Sequence, residues 1–212
     1  GIQAAYAALA GTGLFSEEEA NSRIINFTEG NNAVVIEDES LTDLGAINPA
    51  FAGLPKYRQA TAEDLLILPS ATFLGTTVGG NPLLINGVTV PLADNWVLVP
   101  SEKQEIKTAI DNFNVTIKGA ADSAGYAFLD ANTLFQELST VGYTDGDYTL
   151  TSSLVSGGAL SLDGVHGTAR GYALIANELM KAIDAKYGSN FEASGNLVDI
   201  GDYPTNYSPS LQ

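Results

Sequence analysis

The residue types that could do chemistry in this chain meet at Asp163-Gly164-Val165-His166, which holds the only histidine among 212 residues. A neutral imidazole accepts a proton near pH 7, and a carboxylate on its other nitrogen fixes tautomer and ring orientation. Groups three residues apart can meet if the chain turns between them, and Gly164 permits the turn because it lacks a Cβ. The spacing therefore predicts an Asp163 carboxylate oxygen roughly 2.6–3.2 Å from His166 Nδ1. Taken alone it admits two readings, a general base with its orienting carboxylate or a solvated loop. Other chemistries find less support. The absence of cysteine excludes a thiolate nucleophile and a cysteine metal site. Asp145 and Asp147 flank Gly146 without the regular ligand spacing of a calcium loop, so they read as a solvated turn; no metal or cofactor is expected.

The elements around this string position it. Thr168 is a suitable N-cap for a helix over about 169–187, with Gly188 as its stop and Tyr172, Ile175, Ala176, Leu179 and Ile183 as its buried stripe. Upstream, Ser101 and Gln104 form a capping-box pattern. Ile106, Ala109, Ile110, Phe113, Ile117 and Ala120 recur at helical spacing, predicting a helix over about 102–121 with one buried face. Gly125 ends it, residues 126–130 read as a buried strand, and a short helix spans about 132–138. Residues 142–158 are polar, a hairpin or a loop. A helix–strand–helix order fits an α/β fold with a parallel sheet, which would place His166 at the sheet's carboxyl edge, where such sheets bind ligands.

The first hundred residues differ in texture. Residues 1–11 are alanine-rich and predict a helix that nothing caps, as if it began further upstream; Ser16 with Glu19 predicts a second helix over about 17–24. Short apolar runs at 33–36, 64–69 and 96–99 predict strands, and Asn86-Gly87 predicts a type I′ hairpin across 83–90. The chain thus divides into a helical segment (1–29), a β-rich insertion (30–100) and an α/β part (101–212). Trp96 and the hairpin could line a substrate entrance or pack the insertion's own core. Nine basic against 25 acidic residues give a formal charge of −16, which repels nucleic acid and anionic membranes. No apolar run reaches the ~18 residues of a spanning helix.

Asp163-Gly164-Val165-His166, then Thr168, then Gly171-Tyr172, resembles the last sequence block of the SGNH (GDSL-type) esterases and lipases, and more closely the branch found among bacterial envelope acylhydrolases. Gly201-Asp202-Tyr203-Pro204, Gly79-Gly80-Asn81-Pro82 and Pro91-Leu92-Ala93-Asp94 extend the likeness along most of the chain. The resemblance implies the C-terminal portion of a three-layer α/β/α hydrolase with a parallel sheet. It implies His166 as general base, Asp163 as its partner, a carboxylic ester (a lipid or acylated small molecule) as substrate, and an extracytoplasmic location. Gly167 stands where the family has proline. The family's Gly-Asp-Ser block and oxyanion block are not found, since Asp38-Glu39-Ser40 and Gly79-Gly80-Asn81-Pro82 both depart from those patterns. The expectation is that a missing N-terminal half, or a partner chain, carries the serine nucleophile, and that this chain alone is inactive. The alternative is a non-catalytic surface or interaction module that keeps the hydrolase fold.

Overall fold

The computed structural model describes residue 6 and residues 8–206, which fall into two compact units divided after Thr108. Residues 6 and 8–10 are helical; the remainder of the predicted first helix, residues 1–5 and 7, lies outside the described residues.

In the first unit Ser16 accepts the Glu19 N–H at 3.0 Å and starts α1 (Glu17–Ser22), which stops short of the predicted residue 24. The Glu19 carboxylate turns to Arg23, at 2.7 Å from Nη2, and to the N–H and hydroxyl of Thr42 at 2.9 and 2.8 Å. The Arg23 guanidinium in turn lies 5.5 Å from the centroid of the Tyr6 ring. Tyr6, Leu9, Phe15, Ala20 and Leu44 close a small core there.

Six short strands follow: β1 (Val35–Glu37), β2 (Tyr57–Gln59), β3 (Leu65–Leu66), β4 (Thr77–Val78), β5 (Asn81–Ile85) and β6 (Val97–Leu98). They pair antiparallel as β1–β2, β3–β6 and β4–β5. Ile36, Leu92, Val97 and Val99 form their shared core. Trp96 packs against it, stacked on Phe73 with ring centroids 4.3 Å apart, so this ring serves packing. Arg58 is the polar pin of the unit. Its Nε donates to Asp38 at 2.5 Å, and its two terminal nitrogens donate to the two oxygens of Asp64 at 2.7 Å each. The predicted hairpin is displaced by one turn. Gly79 and Gly80, both at positive φ, join β4 to β5, as a type I′ turn requires, whereas Asn86-Gly87 opens a compact turn that folds Val88, Thr89 and Val90 back onto the Ile85 carbonyl.

The longest helix, α2 (Pro100–Ala124), contains the division point. Its cap is not Ser101 with Gln104; the Glu102 carboxylate accepts the Val99 N–H at 2.8 Å. Its C-terminus is a Schellman motif: Gly125 at φ 71°, the Tyr126 N–H to Ala121 O at 2.8 Å, and the Gly125 N–H to Asp122 O at 3.2 Å. No residue of α2 is buried, which corrects the expected buried face. Spacing aligns Ile106, Ile110, Phe113 and Ile117, but each stays 42–64% exposed.

In the second unit α3 (Ala131–Thr140) begins at Asp130, whose carboxylate accepts the Thr133 N–H at 3.0 Å. Residues 142–158 resolve into a hairpin, β7 (Tyr143–Asp145) with β8 (Tyr148–Leu150), turning on Gly146-Asp147. The final helix α4 (Ala169–Tyr187) starts at the Thr168 cap and ends at left-handed Gly188, as predicted. Its buried side is rotated from the predicted stripe: Ala173, Leu174 and Asn177 point inward, while Tyr172 is 52% and Leu179 45% exposed. Both rows have helical spacing, so periodicity cannot rank them; Leu134, Leu138, Leu150, Ala159 and Ile200 form the core that the inner row meets.

The fold is thus a mixture of helices and small antiparallel sheets. The predicted strand at 126–130 is not formed. Among the described residues it has no neighbouring strand to bond, Tyr126 is largely exposed, and the Ala127 N–H donates instead to the Tyr187 hydroxyl at 3.0 Å. A strand exists only through its ladder partners. No described helix is long and apolar enough to cross a membrane.

Candidate active site

The loop carrying Asp163 and His166 is built from its ends inward. The Thr168 N–H donates to Ala159 O at 2.9 Å, its hydroxyl donates to Gly158 O at 2.5 Å, and the same oxygen accepts the Gly171 N–H at 3.0 Å. One side chain therefore caps α4 and ties it to the preceding segment. Leu160 and Gly167 pair antiparallel, and the Ser161 N–H donates to His166 O at 2.8 Å, closing residues 161–166 into a tight excursion. At its tip Gly164 takes φ 73°, a left-handed conformation that a Cβ would strain. The Gly167 position lies against the Tyr172 ring, 3.4 Å from where a Cβ would stand.

Within this loop the structure brings the two predicted residues together. His166 Nδ1 lies 2.7 Å from Asp163 Oδ2, inside the predicted range. The other carboxylate oxygen, Oδ1, accepts three bonds: the Ser161 hydroxyl at 2.7 Å and the N–H groups of Val165 and His166 at 2.9 Å each. These donors, Ser161 first, with the His166 ring adding its own bond, hold the Asp163 carboxyl far below the usual carboxylate range. Asp163 therefore stays ionised near neutral pH. Its bond to Nδ1 selects the tautomer that carries the proton there, which leaves Nε2 unprotonated and able to accept one. The His166 side chain is 69% exposed, so a second group can reach the ring from solvent.

Two further buried residues anchor α4, the helix that follows the loop. Arg170 projects from the first turn of α4, donating to Tyr203 O at 3.1 Å and Gly201 O at 3.3 Å and lying 4.6 Å from the Tyr148 ring centroid. Gly201 fits because a Cβ there would stand 2.3 Å from the same ring. Asn177, 1% exposed, donates to Asp145 at 3.1 Å and Val198 O at 2.9 Å and accepts the Val198 N–H at 2.9 Å. Sequence reasoning missed both roles, because their partners lie 21 to 33 residues away along the chain. A signal for Arg170 was present, since a cation in the first turn opposes the helix dipole and needs a tertiary reason to be there.

Ser40 and Ser161 both donate their hydroxyls to carboxylates. The Ser40 hydroxyl donates to Asp38 at 2.5 Å, a carboxylate already held by Arg58. The Ser161 hydroxyl is committed to Asp163. Among the described residues no group of three or more His, Cys, Asp or Glu could hold a metal ion. Asp145 is instead a hairpin-turn residue bonded to Asn177. A shallow cleft of about 300 Å³ is lined by Lys118, Asp122, Tyr126 and Lys186 near the C-terminal ends of α2 and α4. It stands apart from the Asp–His pair, which precedes the opposite end of α4, roughly 25 Å away at 1.5 Å rise per residue. Compared with family models, curated proteins and solved structures, the chain shows no match.

Proposed function

We propose that this chain carries the Asp–His portion of a serine ester hydrolase of the SGNH (GDSL) type. The observation that carries the reading is the 2.7 Å bond between Asp163 Oδ2 and His166 Nδ1 on an accessible imidazole. In the proposed reaction His166 Nε2 takes the hydroxyl proton of a serine as its oxygen attacks the ester carbonyl carbon. The imidazolium, stabilised by Asp163, then gives that proton to the departing alkoxide, leaving an acyl-serine. A water molecule repeats the sequence to release the carboxylic acid. The serine and the oxyanion donors come from a segment outside these 212 residues or from a partner chain. The substrate class is a carboxylic ester, a lipid or an acylated small molecule, met in an extracytoplasmic compartment.

The finer fold belongs to the same proposal. Residues 126–130 become a strand when the serine-bearing segment supplies a parallel neighbour, completing a three-layer α/β/α sheet under α2 and α4. A second reading, a non-catalytic interaction module with the same fold, draws on the exposed row Ile110, Phe113 and Ile117, which suits a binding face as well. The test is to assay a short activated ester with residues 1–212 alone and beside the His166→Ala variant. The proposal expects both to show background rates. Turnover by the 212 residues that vanishes in His166→Ala would place the nucleophile within this chain instead.

A further inference from the structure

We infer that Ser161 is a positioning residue for the Asp163–His166 pair, holding the carboxylate so that Oδ2 faces the imidazole. The inference rests on the reading of that pair given above, but not on any activity. A carboxylate on an exposed loop rotates freely about χ2 unless one oxygen is occupied, and Asp163 is 52% exposed. Its Oδ1 is occupied by the amides of Val165 and His166, both carried by the loop backbone, and by the Ser161 hydroxyl. The amides belong to the residues that follow Asp163, whereas Ser161 precedes it and closes the loop through its own N–H to His166 O at 2.8 Å.

The backbone bond that closes the loop therefore holds the Ser161 backbone beside His166, and from there the hydroxyl donates to Asp163 Oδ1. Leu154 lies against Gly164 and the Tyr172 ring against Gly167. Of the donors to Oδ1, Ser161 is the side chain; the other two are backbone amides. With the hydroxyl removed, Asp163 keeps its charge and two amide donors but samples rotamers in which Oδ2 no longer faces Nδ1.

His166 is the only histidine, so its ring nitrogens give an unambiguous ¹⁵N signature. The experiment labels the chain with ¹⁵N-histidine and reads the tautomer ratio at alkaline pH, in wild type, Ser161→Ala, Ser161→Thr and Ser161→Val, with amide spectra reporting folding. Threonine restores the hydroxyl; valine matches its shape without one. The expected result is a predominantly Nδ1–H imidazole in wild type and Ser161→Thr, and a mixed population in Ser161→Ala and Ser161→Val, with the Nδ1–H excess reduced at least twofold. A loop that needs serine only for folding would lose stability without this split between threonine and valine. If the hydroxyl-free variants keep the wild-type ratio, Ser161 positions nothing, although the Asp–His pair stands. If wild type itself shows no Nδ1–H excess, the pair does not form in solution and both readings fall.

Discussion

Gly171→Ala tests the packing between α4 and the segment that leads into the Asp163–His166 loop. In an ordinary helix interior this change stabilises by about 1 kcal/mol, because alanine gives up less backbone entropy than glycine. Here the added Cβ would stand 2.1 Å from Ala159 O, against an ordinary contact that begins at 3.4 Å. The helix and the 158–160 segment must open by about 1.3 Å. Overpacking of this kind costs about 1–3 kcal/mol. The shift also stretches the Thr168 N–H to Ala159 O bond, with a net worth of about 1 kcal/mol. Set against the propensity gain, the net loss is about 1–3 kcal/mol. Gly119→Ala in α2 is the control, since a Cβ there meets nothing within 4 Å and the full gain of up to about 1 kcal/mol should appear. Urea unfolding followed by far-ultraviolet circular dichroism reads both. If Gly171→Ala proved as stable as wild type, or more so, the close approach of α4 to Ala159 would be wrong.

Other expectations follow from the first unit and from α2. Arg58→Ala removes the partner of two carboxylates whose side chains are only 4% and 1% exposed, and should cost about 3–5 kcal/mol in urea unfolding. Burial pushes Asp38 and Asp64 up, but the bonds from Ser40 to Asp38, from Thr61 to Asp64 and from Arg58 to both outweigh it and leave both carboxyls below their ordinary value. The folded state then binds fewer protons than the unfolded one. Their contribution should be complete above the unfolded value near pH 4 and be lost as pH falls through the lower folded values, a decline that a urea series between pH 5 and 2 would detect. Phe113 is 64% exposed, so Phe113→Gln should change the unfolding free energy by less than about 0.5 kcal/mol and, on the reading of the α2 row as a binding face, should lower concentration-dependent association in sedimentation velocity. An unchanged association state would show that the α2 row is not a contact surface.

Local chemistry was legible in the sequence, and long-range partnership was not. Thr168 and Gly188 mark the ends of α4 because caps act within three or four residues, and the Asp163–His166 bond was legible for the same reason. The rotated buried face of α4 was not, since two apolar rows share one helix and the choice is made by Leu134, Leu138 and Leu150 from distant segments. Asn86-Gly87 carried a stronger turn signal than Gly79-Gly80, yet β4 pairs across the glycines, where both residues take positive φ. Residues 126–130 have the composition of a buried strand without the neighbour that would make them one. Arg170 and Asn177 act on groups 21 to 33 residues away along the chain, and only the unfavourable first-turn position of Arg170 hinted at its role.

The proposal makes His166, oriented by Asp163, the base for a serine nucleophile, and ester hydrolysis measures this. The rate is read with the serine-bearing segment that the proposal calls for, in wild type, His166→Ala and Asp163→Asn. The expected result is a fall of about 10⁴-fold or more for His166→Ala and an equal or smaller fall for Asp163→Asn, because the first deletes the base and the second misorients it. Rates for His166→Ala comparable to wild type would contradict the claim.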